Sequence, residues 1–400
     1  MVVTLTRPAA TGLRRLLWGR TISALGDGLW FTVWALYFTR VLHLPTAIVG
    51  VGLAVAGAFG MAIAVPLGAL ADRFSPRGVL VAVTLIRAVA MACYLLVHDP
   101  WTFIAVTVAF TSLANGGTAV RTALVTALVT DTEARMSALG RQRVAQHAGY
   151  AIGAGLGALV LSADRVPVYV LAIAGNAITF LCLAVLTASV PAPRTPVRAP
   201  RPSVRIALAD RPYISVMATT SVLSLCWAML STGLPIWISH DTRLPLSLSG
   251  AVVVISSVGI AALQLPANRL ARTTAAAART AVRAAVALVA ACLLLAGTTS
   301  GSGPFAAALV ITAGLLHLAG ELGYVAAGWG LSVTLMREQA RGAYQGVSEA
   351  ATATVQMIGP AIFTAALGTF GAGGWLLVAA LFAAAAAPVP ALTRWAERTR

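Results

Sequence analysis

Long apolar runs separated by short polar gaps dominate the chain. Runs lie near residues 16–39, 46–71, 78–97, 101–129, 142–161 and 166–189. Each matches the roughly 20 residues that a membrane-crossing helix needs. The Pro- and Arg-rich stretch "PAPRTPVRAPRPSVRIALADR" then breaks the pattern and is too polar to cross hydrocarbon. Six further runs follow near 212–239, 246–267, 280–298, 304–335, 343–369 and 374–392. The pattern predicts an all-α integral membrane protein with twelve transmembrane helices in two six-helix repeats. The expected domains are an N-terminal bundle over 1–190, a linker over 191–211, and a C-terminal bundle over 212–400 with a short tail.

Composition agrees. Of the 400 residues, 59% are hydrophobic and 10% charged, against roughly 25% charged in soluble domains. The net charge of +16 does not point to nucleic acid, because the basic residues sit at the ends of apolar runs and not beside aromatics on one element. All 28 basic residues are Arg, a bias that suits a high-GC bacterium. Twenty-three of them fall in alternate gaps and at both termini, and only Arg40, Arg165 and Arg243 in the others. By the positive-inside rule both termini are expected in the cytoplasm, and the chain in a bacterial inner membrane. The N-terminus reads as the start of a first membrane helix and not as a cleaved signal peptide. Cys93, Cys182, Cys226 and Cys292 lie in apolar runs without metal-ligand spacing, so no metal or cofactor is expected.

The gap "GALADRFSPRGVL" at 68–80 carries a motif. It resembles the signature between the second and third helices of the major facilitator superfamily, with Gly68, Leu70, Ala71, Asp72, Arg73, Arg77 and Leu80 in place. Ser75 stands where the signature has a glycine and Pro76 where it has an arginine. The resemblance implies a twelve-helix transporter in which Gly68, Asp72, Arg73 and Arg77 latch one conformation. "QLPANRLAR" after the eighth run is a weaker echo, with Asn268 and Arg269 in place of the Asp-Arg pair. "GYAIGAGLGA" resembles the antiporter signature through Gly149, Gly153 and Gly157, with Ala154 and Ala158 replacing a proline and a glycine. That implies export in exchange for protons, while the same spacing also suits ordinary close helix packing. "REQARGAYQG" resembles the family's loop before the eleventh helix through Arg341, Gly342, Tyr344 and Gly346, and Glu349 beyond it is placed facing the latch.

Ionisable residues inside a membrane helix are functional candidates by default. Asp27 in the first run is expected at a depth comparable to Arg121 in the fourth, so the two can pair, with Arg87 as a second partner. Asp27 reads either as a structural pair or as a proton or substrate site. Glu321 lies mid-way along the tenth run with His317 four residues earlier on the same face. Both are candidates for proton coupling or substrate contact. By the resemblance, the first, fourth, seventh and tenth helices line the transport path. That makes Trp30, Trp34, Asn115, Trp227 and Tyr324 cavity candidates, joined by the polar Gln356, and favours lipophilic or cationic molecules. Trp18, Trp101 and Trp375 read as interface anchors.

The expected function is secondary active transport, with proton-coupled efflux of small lipophilic molecules such as antibiotics. An uptake symporter and a membrane sensor remain alternatives. No phosphate-binding Gly-rich loop and no catalytic cluster argues for an enzyme. The expected partners are a small-molecule substrate, protons and membrane lipids, without nucleic acid, and the resemblance implies a monomer.

Overall fold

The computed structural model describes residues 7–129, 131–163, 165–191, 203–245 and 247–399, and every regular element among them is a helix. The first six expected spans correspond to α1 (Arg7–Leu36), α2 (Thr46–Arg73), α3 (Pro76–Cys93), α4 (Pro100–Leu128), α5 (Thr132–Ala163) and α6 (Val166–Ala188). A short α7 (Ser203–Ala209) follows. The rest comprises a broken helix over Arg211–Asp241, then Ser247–Asn268, Thr274–Ala296, Gly303–Leu335, Arg341–Phe370, Ala372–Ala386 and Val389–Arg398. Of the expected linker, residues 192–202 lie outside the described residues. Residues 203–209 form α7, which packs on α2 and buries Ala207.

Eleven helices among the described residues are long and apolar enough to cross a membrane. α1 falls outside that set despite its 30 residues; its apolar stretch is interrupted by Arg20 and Asp27. With α1 included, each of the twelve expected spans has its helix. Large apolar side chains such as Phe59, Ile86, Leu171, Ile178, Val254 and Val286 are exposed. In water such surfaces would aggregate; in a bilayer they face lipid. The chain is a multi-pass membrane protein.

Local chemistry explains the helix starts. Ser75 caps α3, accepting from the Gly78 amide at 3.5 Å, and Pro76 takes the first turn. A proline there loses no hydrogen bond. The two departures from the signature between the second and third helices are therefore a helix start. Asp99 caps α4 in the same way, and the Thr102 backbone amide is the main cause holding its carboxyl below the usual range.

The chain divides into two compact units. One contains residues 1–209 and 336–353, the other 210–335 and 354–400. In the first, α1 packs on α5 and α6, α2 on α4, and α3 on α4 and α6. Its α1–α5 seam is made by glycines. A Cβ on Gly149 would stand 2.5 Å from the Thr21 carbonyl oxygen, and one on Gly157 2.6 Å from the Thr32 Cβ. One on Gly153 would overlap the Leu25 carbonyl. Tyr37, Phe38, Tyr94, Phe103 and Phe110 form an aromatic core in the same unit. In the second unit, Thr274–Ala296 packs on Gly303–Leu335 and on Ala372–Ala386. Trp375 is not an interface anchor: it is buried edge-on against Trp237 and Phe363. Its neighbours arrive from distant segments, which position near a span end did not reveal.

The two halves repeat at an offset of 200 residues in one region. Leu44, Pro45, Gly50, Pro66 and Leu70 correspond to Leu244, Pro245, Gly250, Pro266 and Leu270. In this register Arg272 stands opposite Asp72, in place of the expected Asn268–Arg269 echo.

The seam generates a test. Gly153→Val should cost about 1–3 kcal/mol of stability, as overpacking does. Gly155→Ala, where an added Cβ meets nothing within 4 Å, should leave the thermal midpoint of the purified protein unchanged. Equal midpoints for the two variants would refute the seam.

Candidate functional site

Asp72 ends α2 beside the start of the helix Arg341–Phe370. Its Oδ1 accepts from the Gly342 amide at 2.7 Å and its Oδ2 from the Ala343 amide at 2.9 Å. A carboxylate on two free amides at a helix N-terminus is favoured by hydrogen bonding and by the helix dipole. The contact needs close backbones. A Cβ on Gly68 would overlap the Gly342 carbonyl, and one on Gly342 would overlap that of Gly68. Arg77 donates to the Val190 carbonyl at 2.9 Å, just beyond α6. Arg73 is exposed, its guanidinium 5.5 Å from the Phe74 ring. The structure thus brings Gly68 and Asp72 onto Gly342 and sends Arg73 and Arg77 elsewhere. Arg135 adds a contact not foreseen from sequence. It donates to Glu338 at 2.8 Å and to the Val129 carbonyl at 2.7 Å, and Glu338 also pairs with Arg341.

Deeper in the same unit lies a charge cluster. Asp27 is 2% exposed. Its Oδ1 meets Arg87 at 2.8 Å and its Oδ2 Arg20 at 3.9 Å. The anticipated Asp27–Arg121 pair does not form. Arg87 is fixed in its place between two aromatic faces, with ring centroids at 4.3 Å for Phe180 and 4.6 Å for Phe110. This cation–π clamp needs rings from α4 and α6, which no local pattern in α3 announced. Arg20 had a local signal, since seven residues place it on Asp27's face of α1. Arg121 is buried nearby, within electrostatic reach of Arg20, Arg87, Asp27 and Tyr150. Glu349 lies in the field of Arg121 and Arg20, two helical turns beyond Gly342, and not at the Asp72 contact where it was expected.

The second unit holds Glu321, 4% exposed. Its Oε1 accepts from the Trp227 indole at 2.9 Å and its Oε2 from Ser256 at 3.4 Å. His317 is 1% exposed, with Nε2 2.7 Å from the Cys226 carbonyl oxygen. A carbonyl only accepts, so Nε2 carries the proton and Nδ1 is left as the basic nitrogen. Nδ1 has no partner among the described residues. Cys226 and Trp227 lie where the helix Arg211–Asp241 breaks, between a 3-10 turn at Val222–Ser224 and a π turn at Met229–Gly233. Such breaks in membrane helices accompany binding sites. His317 also closes one side of an apolar cavity lined by Met229, Leu234, Val252 and Val310.

The remaining candidates divide. Tyr324 stacks edge-on with Trp227 at 6.0 Å. Trp30 is buried in the aromatic core, 4.9 Å from Tyr94, and Trp34 packs on Phe38 at 5.9 Å. Asn115 lies against Gly60 of α2, and Gln356 is exposed. Gly149, Gly153 and Gly157 form the α1–α5 seam. No cluster of three or more metal-ligating His, Cys, Asp or Glu occurs among the described residues.

Paired motifs on a helical membrane scaffold, with buried charges in each unit, describe a secondary transporter. The family model of the Major Facilitator Superfamily matches residues 16–360, and the chain belongs to that superfamily. Solved structures share the fold. The human organic anion transporter MFSD10 (TETRAN) is 16% identical with a TM-score of 0.71, covering 96% of this chain and 100% of its own. A bacterial homologue of the iron transporter ferroportin, in an outward-facing state, is 15% identical with a TM-score of 0.71, covering 97% and 99%. The proton:xylose symporter XylE is 11% identical with a TM-score of 0.74, covering 96% of each chain. Comparison with curated protein sequences gave no match.

Arg87→Gln should destabilise the protein by about 3–5 kcal/mol, because it leaves a buried carboxylate without its close partner. The double variant Arg87→Gln/Asp27→Asn should cost less than the two single changes added together. Additive losses in thermal unfolding would show that the pair is not coupled.

Proposed function

We propose that this chain is a proton-coupled exporter of small lipophilic molecules, working by alternating access. It is placed in a bacterial cytoplasmic membrane with both termini inside and acts as a monomer. The observation that carries the reading is Glu321, a buried carboxyl at the break of a membrane helix whose hydrogen-bond partners include the neutral donors Trp227 and Ser256. In this reading the Glu321 carboxyl takes and releases a proton when the site opens. The membrane potential supplies about 2.3 kcal/mol per proton per 100 mV. His317, four residues away, leaves Nδ1 free to contact the substrate in this reading.

Asp27 has a different role in this reading. Arg87 and Arg20 both approach it, so in this reading it organises the N-terminal unit. The Asp72 contact serves as the releasable element. Two amide–carboxylate hydrogen bonds are strong enough to define a state, and two helices meeting through glycine can part without unpacking large side chains. Gly149, Gly153 and Gly157 give α1 and α5 the close seam that the exchange cycle uses.

The test is accumulation of a panel of toxic lipophilic compounds in inverted membrane vesicles under an imposed proton gradient. Wild type should accumulate at least one compound. Glu321→Gln should lose gradient-driven accumulation yet keep downhill exchange. Full gradient-driven transport in Glu321→Gln would remove Glu321 from coupling, and accumulation in intact cells in place of vesicles would make the protein an importer. Asp72→Asn, which keeps the shape and removes the charge, should lower the transport rate about 10-fold or more, as loss of one or two charged hydrogen bonds implies.

A further inference from the structure

The N-terminal unit keeps a buried cation with no ion pair among the described residues. Arg121 is 8% exposed and its Nε meets no hydrogen-bond partner among the described residues. Asp27 does not neutralise it, because Arg87 engages one of its oxygens at 2.8 Å and Arg20 approaches the other at 3.9 Å. Glu349 lies in the field of Arg121 and Arg20 but forms no ion pair within 4 Å among the described residues. Three arginines therefore face two carboxylates, and Arg121 is the one without a close counter-charge. Tyr150, hydrogen-bonded to Gln146, lies in the same electrostatic neighbourhood.

Arginine stays charged under physiological conditions, so this site cannot relax by losing a proton. An unpaired guanidinium away from water is costly, and a membrane protein keeps one where it receives something. Its planar fork matches the oxygens of a carboxylate, sulfonate or phosphate. Arg20 lies in the same electrostatic neighbourhood as Arg121.

We infer that the transported molecule carries an anionic group, a carboxylate, sulfonate or phosphate, that pairs with Arg121 and Arg20. The inference rests on the transport reading and narrows it, from lipophilic molecules in general to lipophilic anions. Arg121 is buried, so the anion reaches it only when the chain opens. Glu349 is the internal carboxylate in the same field and competes with the incoming anion for the two guanidinium groups.

The test uses the purified full-length chain and a matched set of probes: 1-naphthoate, 1-naphthalenesulfonate, 1-naphthyl phosphate, methyl 1-naphthoate and the 1-naphthylmethylammonium cation. Binding is read as ligand-dependent thermal stabilisation, which a ligand of the native state produces by mass action. At least one anion should bind wild type more tightly than the ester or the cation. Arg121→Gln should weaken that anion about 10- to 100-fold and leave the ester unchanged. Arg121→Lys, which keeps the charge and guards against a folding defect in the glutamine variant, should retain part of the preference. Glu349→Gln should tighten the anion. If no anion is preferred in wild type, or if the preference survives Arg121→Gln, the inference is wrong. Vesicle transport of the same probes separates the two readings. Arg121-dependent anion binding without gradient-driven movement would sink the transporter reading and leave the anion site standing. Transport of the ester and cation as fast as the anions would do the reverse.

Discussion

A charge taken out of water must find its counter-charge inside the protein, and this requirement organises the chain. The bilayer leaves only helices as a way to satisfy the backbone, so side-chain charges are the polar groups still needing solutions. Asp27 is answered by Arg87 and Arg20. Asp72 is answered by the free amides at the start of another helix. Arg135 is answered by Glu338 and by carbonyls at the end of α4. Each solution ties together segments far apart in sequence, and each therefore fixes the position of a helix.

These solutions differ in how readily they come apart. Arg87 sits between Phe110 and Phe180, so its pairing with Asp27 is reinforced on both faces of the guanidinium. The Asp72 contact is of another kind. It includes two hydrogen bonds to backbone amides across a glycine crossing, and these need the two backbones to touch. Glu321 differs again. Its partners include Trp227 and Ser256, beside a helix that has already given up regular hydrogen bonding at Val222–Ser224 and Met229–Gly233.

Much of the scaffold was legible in the sequence because hydrophobic length and arginine placement are local properties. The helices, the central break and the short gap holding Asp72 can be read by counting. Ser75 and Pro76 looked like defects in a motif, yet the same two residues are an ordinary helix start, visible once α3 is seen to begin there. The charge pairing was less legible. Depth along a helix made Arg121 the natural partner of Asp27, but depth says nothing about rotation. Arg87 is held there by two phenylalanines from other helices. Likewise Trp30 could be placed on the first helix but not assigned to core or cavity, and Glu349 could be placed near an end but not oriented.

The sequence by itself determined that this is a membrane protein of many helices, that its family is that of facilitator transporters, and which few charged residues lie within its spans. These follow from the cost of placing polar groups in hydrocarbon, which acts residue by residue. Only the tertiary structure decided which charge meets which. It sent Asp72 to the amides of Gly342 and Ala343 and closed Asp27 between two arginines. It set Glu321 against a broken helix and buried Arg121 with no ion pair among the described residues. Those outcomes depend on helix rotation and on side chains contributed from distant segments, and a linear pattern carries neither.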